Sequence, residues 1–191
     1  MPTTFQLAEE GVTRLLNRAM REYHPRLSDA GVKVGIIMAY NPDGPAIKRT
    51  GHGVLAQIKP IPLKDRLTKG YDAELLIDER EYRDLRPEQR LALMDHELRH
   101  LDTIDLSPKG PGVARLENPN APAWKTDDIG RPKLRSVPGN WDAGDGFRDV
   151  VSRHGADAIE YRNLKAAWGY CDRAAKAGAD GQDVDPAEDA A

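Results

Sequence analysis

Residues 91–101 read Leu-Ala-Leu-Met-Asp-His-Glu-Leu-Arg-His-Leu, in which two histidines and a glutamate recur at helical spacing. His96 and His100 are four residues apart, so on an α-helix they lie one turn above each other on the same face. Both imidazoles can then reach a single divalent metal ion. Glu97 lies between them, offset enough to miss the metal but close enough to contact a water beside it. The spacing therefore predicts a metal site with a general base.

The residues around this stretch predict that it is helical. Pro87 fits the first turn of a helix, and Asp84 or Arg86 would cap it. Glu88 adds negative charge at the positive end of the helix dipole. Apolar residues at three- and four-residue steps form one buried stripe: Leu91, Met94, Leu98 and Leu101. In this context His-Glu-x-x-His is typical of zinc-dependent peptidases, and the alternative is a surface helix that carries these residues by chance.

Composition limits the class of protein. The chain has 191 residues, enough for one domain with a hydrophobic core, and a net charge of −3, which gives no general attraction to nucleic acid or acidic membranes. Cys171 is the only cysteine, which excludes an intramolecular disulfide and a cysteine-rich zinc site. No secretory signal and no membrane-spanning apolar segment is evident. We expect a soluble cytoplasmic protein without a membrane partner.

The order of predicted elements indicates an α+β fold. Residues 5–23 read as a helix, and three strands follow at Lys33–Tyr40, Val54–Ile61 and Ala73–Ile77. Pro60 and Pro62 point to an edge position for the second strand. Further predicted elements are weak strands near 113–116 and 132–137, a short helix from 145 or 146 to 153 and a helix over 156–176. We expect a minimal zincin-like core in residues 1–177, with a small twisted sheet packed on the motif helix and the N-terminal helix, and a disordered acidic tail at 178–191.

A catalytic zinc normally takes three protein ligands, and the motif supplies only two. The short metzincin spacing fails because positions 103 and 106 are Thr103 and Leu106. The third ligand must therefore come from downstream. We favour Asp142, with Asp145 and His154 as alternatives. Either aspartate could instead cap a helix, and His154 could instead favour a helix C-terminus.

Two stretches of the chain resemble a known family. Residues 70–78 (Gly-Tyr-Asp-Ala-Glu-Leu-Leu-Ile-Asp) and 85–101 are similar to the putative phage metallopeptidases, zincin-like proteins of phages and prophages that are distantly similar to SprT-type metalloprotease domains. The resemblance extends from about Lys33 to Gly155 and implies zinc as cofactor and a protein or peptide as substrate. In the family a His-Asp pair usually opens the downstream helix. Here residues 140–145 read Asn-Trp-Asp-Ala-Gly-Asp, so an ungapped match from Phe147 places Asp142 at the histidine position, and a match on the pair places Trp141 there.

The residue types predict hydrolysis of peptide bonds. His96, His100 and Asp142 would hold Zn²⁺, and Glu97 would act as general base toward a metal-activated water. Substrate would add as a strand along the edge segment 54–61. The first alternative is a nucleic-acid-associated module, since basic residues cluster between positions 48 and 69: Lys48, Arg49, Lys59, Lys64, Arg66 and Lys69. We favour a solvated basic loop as the explanation of that cluster. The second alternative, a non-catalytic zinc protein, would have no need of Glu97.

Overall fold

A four-stranded mixed sheet and two long helices form the core of the protein in the computed structural model, which describes residues 2–49, 51–106, 123–138 and 148–161. The strands are β1 (Thr4–Leu7), β2 (Val34–Tyr40), β3 (Lys48–Arg49), β4 (His52–Gly53), β5 (Ala56–Pro60), β6 (Ala73–Asp78), β7 (Leu101–Thr103) and β8 (Leu134–Ser136). The helices are α1 (Glu10–Tyr23), α2 (Pro25–Asp29), α3 (Leu63–Lys69), α4 (Glu79–Arg83), α5 (Pro87–Arg99) and α6 (Arg148–His154). The α+β class expected from the sequence is confirmed.

The main sheet has the strand order β1-β2-β6-β5, with β2 and β6 parallel and the outer strands antiparallel to their neighbours. Ile36 pairs with Leu75, which pairs with Ile58 on the other side, so three buried side chains line up across the sheet. They pack with Leu16 of α1 and Leu93 of α5 in one apolar cluster. The edge position predicted for β5 is confirmed.

Two predicted boundaries were wrong. Thr4–Leu7 is a strand instead of the start of the N-terminal helix, because these residues pair with Ile37–Tyr40 along the edge of β2. The motif helix ends at Arg99, and Leu101 belongs to β7 instead of the helix. Leu101 is nevertheless buried, as the predicted apolar stripe requires.

Strands β7 and β8 pair antiparallel, which confirms the strand predicted near residues 132–137. Ion pairs that centre on the buried residues Arg66 and Asp72 hold residues 123–138 against the main sheet. Arg66 forms ion pairs with Asp72 and Asp127, and Arg131 forms a second ion pair with Asp72. Asp127 in turn accepts hydrogen bonds from the backbone N–H groups of Ile129 and Arg131. Residues 123–138 are therefore tied to the main sheet.

The downstream part of the chain begins with α6 and continues as a 3-10 helix at Gly155–Asp157. A helix was predicted over 156–176: residues 156 and 157 belong instead to the 3-10 turn, whereas residues 159–161 are helical as predicted. Residues 113–116 and 162–191, with the rest of that helix and the predicted tail, lie outside the described residues. No helix in the described ranges is long and apolar enough to cross a membrane.

Candidate active site

Helix α5 carries the motif. Arg86 is its N-cap and Pro87 its first residue, and the Gln89 side chain accepts a hydrogen bond of 3.0 Å from the Arg86 backbone N–H. His100 is the C-cap and still has right-handed helical backbone angles. The rings of His96 and His100 therefore lie on one face, with centroids 5.1 Å apart and planes at 77°.

His96 is held by a carboxylate from the far end of the described chain. Its Nδ1 lies 2.6 Å from Oε1 of Glu160, whose side chain is largely buried. Burial lowers the pKa of His96, but the hydrogen bond to Glu160 and the nearby charge of Glu97 outweigh it, so the pKa lies above its ordinary value. Because a carboxylate accepts, the proton of the neutral ring lies on Nδ1 and the lone pair on Nε2.

His100 is oriented in the same way by a different acceptor. Its Nδ1 lies 3.0 Å from the backbone carbonyl oxygen of Val137, one residue beyond β8. Burial is the main cause that lowers the pKa of His100, which favours the neutral ring. A carbonyl can only accept, so the lone pair of this ring also lies on Nε2. Metal-binding histidines commonly donate their second ring N–H to a carboxylate or a backbone carbonyl, as both histidines do here.

Glu97 lies beside this pair in a nearly closed environment. Its side chain is buried, and its Oε1 lies 4.0 Å from Nε2 of His96. Burial raises its pKa to about 7, although His96 and a hydrogen bond from the Ile58 backbone oppose the shift. A carboxyl group that titrates near neutral pH can both take up and release a proton there.

Strand β5 runs along this glutamate. The Asp78 N–H donates to the carbonyl of Leu55 at 2.8 Å, and the Ile61 N–H donates to the carbonyl of Asp72 at 3.1 Å. Odd-numbered residues of β5 therefore bond toward β6, and even-numbered residues direct their backbone groups away from the sheet. Ile58 uses its outward N–H for Glu97. A strand edge that pairs with no further strand among the described residues thus borders Glu97, the general-base candidate.

The predicted third ligands divide into two groups. Asp142 and Asp145 lie outside the described residues. His154 is the last residue of α6, and its Nε2 lies 2.9 Å from Oδ2 of Asp95, with its ring edge against Tyr23. Within the described part of the chain, no three His, Cys, Asp or Glu side chains are arranged to hold a metal ion. The structure thus brings His96, Glu97 and His100 together without a third ligand from these ranges.

Sequence reasoning missed the two acceptors that orient the histidines. Glu160 is 64 residues from His96 and Val137 is 37 residues from His100. Glu160 fell within a predicted helix and had no motif of its own. Val137 acts through its backbone, which no side-chain pattern reports. Only the tertiary fold brings these partners together.

The basic segment is less positive than its composition suggests. Arg66 is buried in the ion pairs with Asp72 and Asp127, and Lys69 pairs with Glu74 at 2.7 Å. The remaining cations are spread over three elements: Lys48 and Arg49 on β3, Lys59 on β5 and Lys64 on α3. The charge of Arg49 is near enough to oppose the burial-driven rise in the pKa of Glu97 and to add to the lowering of the pKa of His100. Positive charge near the motif therefore affects the candidate site itself.

Comparison with known proteins shows a family resemblance. A family model described as putative phage metallopeptidase matches residues 5–168, which is most of the chain. No curated protein and no solved structure matches it.

Proposed function

The chain belongs to the putative phage metallopeptidase family, and on this premise we propose that it is a zinc-dependent peptidase with Glu97 as general base. The observation that carries the proposal is the matched orientation of the two histidines. Each Nδ1 is engaged by an acceptor, so each neutral ring has its lone pair on Nε2. Glu97 lies 4.0 Å from one of these nitrogens.

These residues fit a zinc ion. Neutral imidazole nitrogens are ordinary zinc ligands, and His96 and His100 supply two from one helix. Asp142 remains our proposed third ligand, from a part of the chain outside the described ranges. When bound, zinc would supply Lewis acidity that activates water and polarises the substrate carbonyl.

The protein residues account for the proton transfers. Glu97 would accept a proton at its carboxylate from the water that attacks the peptide carbonyl carbon. It would then deliver this proton to the nitrogen of the leaving amine as the C–N bond breaks. The pKa of about 7 for Glu97 suits both directions of transfer. Glu160 and the Val137 carbonyl would keep the two imidazoles in their required tautomer throughout.

The substrate would bind in an extended conformation along β5. Ala56 directs both its N–H and its C=O away from β6, Ile58 directs its C=O outward, and Pro60 has no N–H to donate. Main-chain hydrogen bonds would give affinity without strict sequence preference. This edge and the single cysteine of the chain are compatible with a protein substrate in a reducing compartment, and we propose the cytoplasm of a bacterial host.

A digestion assay tests the proposed function. Purified protein loaded with zinc is incubated with an unfolded protein substrate, and the products are identified by mass spectrometry. We expect new peptide ends that disappear with Glu97→Gln and with a chelator, and that return when zinc is restored. Cleavage that persists in Glu97→Gln would contradict the proposal. Glu88→Gln, a carboxylate change at the exposed start of the same helix, is the matched control.

A further inference from the structure

A second cluster of polar side chains surrounds Asp95 of α5, the residue before His96. Asp95 is fully buried, and its carboxylate accepts hydrogen bonds from three side chains. His24 donates from Nε2 at 2.8 Å, His154 from Nε2 at 2.9 Å, and Arg153 from Nε and Nη2 at 2.8 and 2.9 Å. Each carboxylate oxygen therefore receives two hydrogen bonds.

The donors come from two separate parts of the fold. His24 lies at the junction of α1 and α2, whereas Arg153 and His154 end α6. Tyr23 joins the two sides, because its ring contacts the edge of His154 and lies 5.1 Å from the Arg153 guanidinium. Asp95 is thus the point at which α5, the N-terminal helices and α6 are joined.

The segment that follows α6 leads directly to the candidate site. After the 3-10 turn the chain reaches Glu160, whose Oε1 lies 2.6 Å from Nδ1 of His96. Its other oxygen, Oε2, is buried and has no hydrogen-bond partner among the described residues. Among the described residues the side chain of Glu160 makes its one hydrogen bond to His96, so the backbone that follows α6 sets the position from which it reaches the ring. An ion pair between Arg86 and Asp157 gives this segment a second attachment to α5.

We propose that Asp95 is a positioning residue for the metal site: by holding the end of α6, it places Glu160 against Nδ1 of His96. This inference rests on the proposed role of His96 as a metal ligand. The alternative is that Asp95 only stabilises the fold, as any buried ion pair between helices can. The two roles differ in one respect. A positioning residue acts on His96 through Glu160, and a structural residue does not.

The first test uses the metal-free protein, so that it stands apart from the proposed activity. Histidine tautomers are read from long-range ¹H–¹⁵N spectra at about pH 8.5, roughly two units above the ordinary histidine pKa. We expect His96 to carry its proton on Nδ1 in the wild type. In Asp95→Asn we expect a mixture of tautomers at His96, as in Glu160→Leu, which removes the acceptor. Asp78→Asn is the control, since Asp78 is also buried and accepts backbone hydrogen bonds from Ala46 and Arg80.

The second test is zinc affinity, measured by competition with a chelator. Loss of an outer partner of a metal-binding histidine typically weakens metal binding about 10- to 100-fold. We expect a loss in this range for Asp95→Asn and for Glu160→Leu, with no further loss in the double variant, because both act through one hydrogen bond. Asp78→Asn should lose stability but keep its zinc affinity.

Two results would overturn the inference. One is a wild-type His96 tautomer and zinc affinity in Asp95→Asn despite reduced stability. The other is a double variant in which the two losses multiply. If Asp95→Asn does not fold, Arg153→Lys serves instead, since it keeps the charge but cannot make both hydrogen bonds. Failure of the wild type to bind zinc would refute the proposed function while leaving the tautomer test of positioning intact.

Discussion

Replacing Glu97 by glutamine should abolish peptide hydrolysis and make the metal-free fold more stable. Glutamine keeps the shape of the side chain and an oxygen that can accept the Ile58 N–H, but it cannot take up a proton as a base. Burial raises the pKa of Glu97 from 4.5 to about 7. At roughly 1.4 kcal/mol per pH unit, ionising this buried group costs the fold about 3 kcal/mol.

The sign of the effect depends on pH. Below pH 4.5 the carboxyl is protonated in both the folded and the unfolded chain, so it contributes no difference between them. As the pH rises from 4.5 to about 7, the unfolded chain ionises first and the folded state loses stability. Glu97→Gln has no such group. The free energy of unfolding of Glu97→Gln should therefore exceed that of the wild type by about 3 kcal/mol at pH 8, and the difference should vanish toward pH 4.5.

Denaturant unfolding of the chelator-treated proteins at several pH values measures this difference. Glu88→Gln serves as the control, because it neutralises an exposed carboxylate in the first turn of the same helix. It should cost up to about 1 kcal/mol through the helix dipole and give no gain in stability at pH 8. An unfolding free energy of Glu97→Gln that matches the wild type at pH 8 would refute the claim that burial disfavours the charged form of Glu97.

Three further predictions follow from the geometry. Glu160→Gln should weaken zinc binding by about 10-fold, the lower end of the range for outer partners of metal-binding histidines, because the amide oxygen still accepts a hydrogen bond from His96. Competition with a chelator measures the zinc affinity. An unchanged affinity would argue against a role for the Glu160–His96 hydrogen bond. Burial alone would raise the pKa of Asp95, but the hydrogen bonds that it accepts outweigh burial and lower this pKa from 3.8 to about 2. The wild type should therefore lose about 2 kcal/mol of stability as the pH falls from about 4 to 2. Acid unfolding of Asp95→Asn should not show this loss. Ala56→Pro should raise KM for an unfolded substrate by removing an outward N–H, whereas Ala56→Val keeps that donor; equal KM values would count against strand addition at β5.

The motif helix and the central strands could be predicted because their signals are local. Spacing and apolar periodicity placed His96, Glu97 and His100 on one helix, and the alternation at Ala73–Ile77 marked β6. The end of α5 was missed because no Gly or Pro lies between Arg99 and Thr103. The helix ends there because Leu101–Thr103 pairs with β8, a partner more than thirty residues away.

The supporting residues of the site could not be predicted, because they depend on tertiary contacts. Asp95 looks like any helical aspartate in the sequence, yet it is fully buried among His24, Arg153 and His154. His154 was considered as a ligand because of its residue type. Only the fold shows that its Nε2 contacts Asp95. The edge strand β1 was missed for a related reason, since its exposed Phe5 and Leu7 resemble the apolar positions of a helix.

Zinc content measured by elemental mass spectrometry tests directly whether His96 and His100 form a metal site. The wild type, Glu97→Gln and His100→Ala are purified without a tag, exposed to zinc and freed of excess ion. We expect about one zinc per chain in the wild type and in Glu97→Gln, and loss of zinc in His100→Ala, because His100 binds the ion and Glu97 does not. A wild-type protein without zinc, or a His100→Ala variant that retains it, would refute the proposal that the two histidines hold the ion.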